Sequence, residues 1–162
     1  MSSFASFSSI LLPSESTDFQ PKNLIECKKC FFKNYESGKK ILSIKSKSGS
    51  IDLNKQVIRL KGEAEGFINL NERTFALDSE SLSINLLDDS IYSKEKVSLE
   101  TNGFEIVSSG LEIEQSQKEG IRFFFKNANL DKINWQSDEF KGKADMIELL
   151  PSKDLILMKG NV

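Results

Sequence analysis

A lysine-led tetrad recurs along this chain at almost constant intervals. Lys61-Gly62-Glu63-Ala64, Lys94-Glu95-Lys96-Val97, Lys126-Asn127-Ala128-Asn129 and Lys159-Gly160-Asn161-Val162 stand 33, 32 and 33 residues apart. A fixed period of this kind means that one supersecondary unit is stacked several times, and this constrains the fold before any other feature does. Arrays of paired helices also have periods near this value, but their units are rich in Ala and Leu. Here apolar and polar residues alternate instead, as in Leu82-Ser83-Ile84-Asn85-Leu86, Val97-Ser98-Leu99-Glu100 and Leu111-Glu112-Ile113-Glu114. Alternation with period two buries one row of a strand's side chains and leaves the other row in water. No window of eleven or more residues carries a capped helical pattern, so the chain is expected to be all-β.

The repeating unit reads as an antiparallel hairpin. A small residue (Gly49, Ser81, Gly110 and Ala144 in successive copies) leads into an alternating strand, a turn and a second strand that exits through the tetrad. Turn chemistry punctuates the runs at Glu36-Ser37-Gly38, Asn54-Lys55-Gln56, Asp88-Asp89-Ser90, Thr101-Asn102-Gly103, Lys118-Glu119-Gly120 and Pro151-Ser152. Ile25-Glu26-Cys27-Lys28 lies 33 residues before Ile58-Arg59-Leu60-Lys61, so four full units follow a leading half. About four hairpins, or eight to nine strands, fill a two-sheet roll or open jellyroll. Its single domain is expected over residues 22–162, behind a flexible segment at 1–21. That segment has neither a basic n-region nor an apolar run of membrane-spanning length, which suits a cytosolic protein or one whose targeting segment is missing from the chain.

Composition removes several function classes. The 162 residues carry no histidine, the usual general base and commonest metal ligand. There is no nucleophile elbow or phosphate-binding loop. An enzyme, a metal and a cofactor are therefore not expected, although a pair among the 24 acidic residues is always available for glycoside chemistry. A net charge of −2 argues against nucleic acid as a partner. Cys27 and Cys30 form a lone C-x-x-C, too few ligands for zinc. On a regular strand, positions three apart point to opposite faces, so the two cysteines are expected to be incidental and unbridged.

The hairpin pattern resembles the periplasmic lipopolysaccharide-transport proteins of the LptC and LptA (OstA-like) superfamily. The resemblance is carried by Lys39–Ile44, Ser48–Leu53 and Val57–Gly62, and again by Lys143–Met146 and Leu157–Val162. The strand and turn Phe31–Gly38, leading straight into the first full unit, is more LptC-like than LptA-like. The resemblance implies an open β-jellyroll that shelters acyl chains of lipopolysaccharide or a similar glycolipid and relays them from the inner-membrane ABC transporter toward the outer membrane. It implies a periplasmic, inner-membrane-associated location. It also implies contacts to that transporter and to a neighbouring jellyroll through sheet edges, here residues 24–35 and 155–162.

On this reading the apolar inner face comprises Ile44, Ile51, Leu53, Ile58, Leu60, Leu82, Ile84 and Leu99. It continues through Ile106, Leu111, Ile113, Phe123, Phe125, Ile147, Leu149 and Leu157. The same residues would equally pack a closed core, as in a structural or adhesion β-repeat domain. An LptA-like bridge subunit is the other alternative. The basic stretch Lys28, Lys29, Lys33, Lys39 and Lys40 suits either an anionic headgroup or an ordinary solvated edge.

Overall fold

The computed structural model describes residues 24–36, 38–70, 72–116, 118, 120–132 and 141–161. The expected N-terminal segment at 1–21 lies outside them, as do the turn residues Ser37 and Glu119 and the terminal Val162. Among the described residues eleven strands form one antiparallel sheet. They are β1 (Leu24–Glu36), β2 (Lys39–Asp52), β3 (Val57–Leu70), β4 (Arg73–Asn85), β5 (Ile91–Ser93), β6 (Val97–Thr101), β7 (Phe104–Ser108), β8 (Gly110–Ser116), β9 (Gly120–Lys132), β10 (Lys141–Leu150) and β11 (Leu155–Lys159). The expected all-β, jellyroll-like architecture is what is observed, but as a single sheet bent over on itself.

Each long strand crosses a common bend, and the burial pattern shows where. Inward residues alternate up to Cys27, Ser79, Phe125 and Ala144, then resume three positions later at Cys30, Leu82, Ala128 and Ile147. A left-handed backbone residue supplies the extra step in β1 at Lys29 (φ 53) and in β9 at Asn127 (φ 46), and others stand at Gly62 (φ 78) with Glu63 (φ 49) in β3 and at Gly160 (φ 89) after β11. These are tetrad positions or their equivalent in β1. The tetrad is thus a strand exit, as its sequence suggests, at Lys159, whereas in β3 and β9 it is a mid-strand bulge that turns the chain from one layer into the other and at Lys94 it joins β5 to β6. Interruptions of the strand separate β5 from β6 and β7 from β8.

Buried serines line the bend. Ser46 Oγ donates to Ser48 O (2.9 Å), Ser79 Oγ to Ser81 O (3.0 Å) and Ser108 Oγ to Gly110 O (2.9 Å). Each bonds the backbone carbonyl two residues on, a local side-chain bond at the level of the bend. The small residues of the repeat lie here because strands run close together. A Cβ on Gly49 would stand 2.9 Å from Arg59 O and 3.1 Å from Cys30 Sγ.

Bending gives two layers. One (layer A) contains 24–28, 48–52, 57–61, 81–85 and β5, β8, β11, with the matching halves of β9 and β10. The other (layer B) contains 30–36, 39–46, 64–70, 73–79, β6 and β7. Phe75 of layer B meets Phe123 of layer A with ring centroids 5.5 Å apart, so the inner faces are in contact. Burial of each large apolar side chain between them contributes about 1.5–3 kcal/mol.

The cysteines overturn their expectation. Cys27 and Cys30 form a disulfide with Cα atoms 5.9 Å apart. The left-handed Lys29 between them shifts the alternation by one residue and brings both sulfurs to the inner side, which a regular strand would forbid. The bridge spans the bend, with Cys27 in layer A and Cys30 in layer B.

Candidate functional site

The core between the layers gathers Ile44, Ile51, Ile58, Leu60, Leu82, Ile84, Leu99, Ile106, Leu111, Ile113, Phe123, Phe125, Ile147 and Leu149, all buried in one cluster. Two expected members are elsewhere. Leu53 is 51% exposed in the turn after β2, where the chain has left the sheet. Leu157 lies on the outer face, opposite Glu148 in the ladder, because β11 turns Ile156 and Met158 inward instead. Alternation within β11 fits either phase, and only pairing to β10 selects one.

Several core residues escaped the sequence reading. Phe32, Leu42, Ile68, Phe75 and Leu77 are buried inner residues of layer B. The available signal was alternation continued past the bulge with its phase shifted, as in Cys30-Phe31-Phe32-Lys33-Asn34.

The layers part on the side away from the bend. There a small opening of about 50 Å³ is lined by Asn34, Ile41, Leu42 and Ile68 from layer B and by Ile91, Ile113 and Ile121 from layer A. Glu36, Asp89, Glu114 and Gln115 rim it. A space of this size holds one or two water molecules. The rest of the interior is packed, with aromatic contacts continuing from Phe123 to Phe125 at 6.2 Å.

A second, wider concavity of about 470 Å³ lies on the outer face of layer B. The exposed rings of Phe31 and Phe67 form part of its wall, with Lys45 paired to Glu65 at 2.9 Å and Ser98 Oγ donating to Glu105 at 2.8 Å. Among the described residues no group of three His, Cys, Asp or Glu side chains is arranged to hold a metal ion.

Among the described residues the sheet is not closed. There β1 pairs only with β2 and β11 only with β10, so both present an edge. These are the two regions, 24–35 and 155–162, expected to be edges. The β11 edge is pinned from its outer face. Glu148 of β10 is 3% exposed and accepts bonds from Arg122 Nη2 (2.7 Å), Arg122 Nε (3.2 Å) and Lys159 Nζ (2.9 Å). Arg122 also lies over the Phe124 ring at 4.9 Å. The bonds from Lys159 and then Arg122 hold the Glu148 carboxyl below its ordinary pKa against the opposing effect of burial.

The lipopolysaccharide-assembly, LptC-related family matches residues 11–120. The chain belongs to this family. Its biological process is accordingly lipopolysaccharide transport, and the family works on the periplasmic side of the cell envelope. Comparison with individual curated proteins gives no significant match. The LptC-related match takes in the bridged edge strand, the bend and every residue lining the mouth except Ile121, while β9–β11 continue the same ladder beyond it. No helix among the described residues is long and apolar enough to cross a membrane.

Proposed function

We propose that this LptC-related chain is a non-enzymatic relay module that shelters lipopolysaccharide acyl chains between its two layers. The observation that carries the reading is a continuous apolar interior reaching the surface at one mouth, in a chain of this family. Each methylene left in water costs about 0.8 kcal/mol, so transfer needs continuous apolar cover rather than a reactive group. The mouth is too small for a chain as it stands. Entry requires the layers to separate at the mouth, with the bend as hinge and the Cys27–Cys30 bridge holding the hinge side together.

The edges complete the relay. Unpaired backbone groups on β1 and β11 accept a strand from a neighbour, giving an extended sheet across proteins. In this reading one edge meets the inner-membrane ABC transporter and the other a neighbouring jellyroll. A disulfide in β1 suits an oxidising compartment such as the periplasm.

The tight packing of Phe75, Phe123 and Phe125 favours one other reading, a structural domain with a permanently closed core. A photo-reactive amino acid separates the two. Placed at Ile41 in the mouth or at Phe123 in the core it should crosslink to lipopolysaccharide, whereas at Arg122 on the outer face it should not. Crosslinks confined to Arg122 would leave only the closed-core reading.

A further inference from the structure

Asn34 is an anomaly in the mouth. It sits in β1 on the inward phase set by Cys30 and Phe32, and it is 3% exposed. Its Oδ1 is buried and receives no hydrogen bond among the described residues. Buried side-chain acceptors nearly always have a donor, so an orphan of this kind calls for a role. Its immediate neighbours are mainly apolar, since Leu42 is its ladder partner and Ile113 and Ile121 line the same opening from the other layer, with Gln115 at the rim. The β1–β2 register slips immediately after it, between Asn34 and Tyr35. An apolar residue of similar shape would pack this position at lower cost.

We propose that Asn34 reads a hydrogen-bond donor, a hydroxyl or an amide N–H, carried near the polar end of the alkyl chain that enters the mouth. This rests on the lipid-sheltering reading and gives it a chemical selectivity. The position matters, because Asn34 is at the opening and not deep among the phenylalanines. The donor must therefore lie within a few bonds of the headgroup, with plain methylenes beyond it. A matched acceptor in an apolar site discriminates against an analogue lacking the donor more sharply than a change of chain length does.

The test compares three probes of similar length on the purified full chain, read by displacement of a fluorescent fatty acid. They are β-hydroxymyristate, N-lauroylglycine and unsubstituted myristate. The wild type should bind the first two about tenfold more tightly than the third, the fold-change of one hydrogen bond recovered in an apolar site. Asn34→Leu should bind all three alike, with myristate affinity kept. If the wild type binds all three equally, Asn34 holds solvent only and the proposal fails while lipid binding stands. If N34L keeps the preference, another group reads the donor and the proposal fails. If no probe displaces the reporter from the wild type, the lipid-sheltering reading itself falls and takes this one with it. The wild-type comparison does not depend on any variant folding.

Discussion

Lys159 Nζ lies 2.9 Å from Glu148 Oε2, joining the last edge strand to β10 through a carboxylate whose side chain is 4% exposed. The same carboxylate is held on its other oxygen by Arg122 at 2.7 Å. The charge of one residue thus reinforces the backbone ladder that holds β11, and with it one of the two free edges, to β10.

Because the folded-state pKa of Glu148 is lowered, its contribution is present above the unfolded carboxylate value and is lost as pH falls through the lowered one. Urea unfolding should therefore show stability falling below the ordinary carboxylate range. In Glu148→Gln this group's part of the fall should be absent, and the variant should be about 2 kcal/mol less stable at pH 7. That figure reflects charge-assisted bonds discounted for the half-exposed Lys159. Hydrogen exchange along 155–159 should speed up in the same variant.

The Cys27–Cys30 bridge closes a very short loop, so constraint of the unfolded chain gives it only about 2 kcal/mol. Replacing both cysteines with alanine should lower stability by roughly that amount. Dithiothreitol should lower wild-type stability and leave the double variant unchanged. Thiol alkylation without prior reduction should fail on the wild type.

Gly62 has φ 78, and a Cβ there would stand 2.9 Å from Lys47 Cβ. Gly62→Val should cost about 2 kcal/mol or more in thermal or denaturant unfolding, because a β-branched residue in the left-handed region adds to the clash. Lys61→Ala, one position earlier on an exposed side chain, should change stability by less than about 0.5 kcal/mol.

Asn34→Leu should raise the unfolding free energy of the ligand-free protein by about 1 kcal/mol, because it removes a buried acceptor that receives no bond among the described residues. A gain of stability from a core substitution is uncommon. A loss in equilibrium denaturation would mean that the Asn34 amide is satisfied in solution.

Much of this molecule is legible in the order of its residues. The period-two runs identify strands, and the 33-residue recurrence of Lys61, Lys94, Lys126 and Lys159 identifies a stacked unit. Most of the inner face follows, since residues such as Ile58, Leu60, Leu82 and Ile84 alternate without interruption and are buried together. Alternation also located the two edges, because the first and last strands of a stacked array have one neighbour each.

What escaped the reading is everything that depends on phase. A single left-handed residue such as Lys29 or Asn127 inserts one step and inverts which side chains face inward beyond it. Nothing in a lysine announces that conformation, and an asparagine only permits it, so the disulfide, the inward Asn34 and the layer-B core around Phe75 stayed hidden. Local pattern determined that this chain is a repeated antiparallel hairpin with one apolar row. Only the tertiary structure decided that the tetrads in β3 and β9 are bends, that Leu53 and Leu157 lie outside the core, and that the interior reaches the surface opposite the bend. The reason is that a bulge is chosen by close packing of two layers against each other, which no single strand encodes.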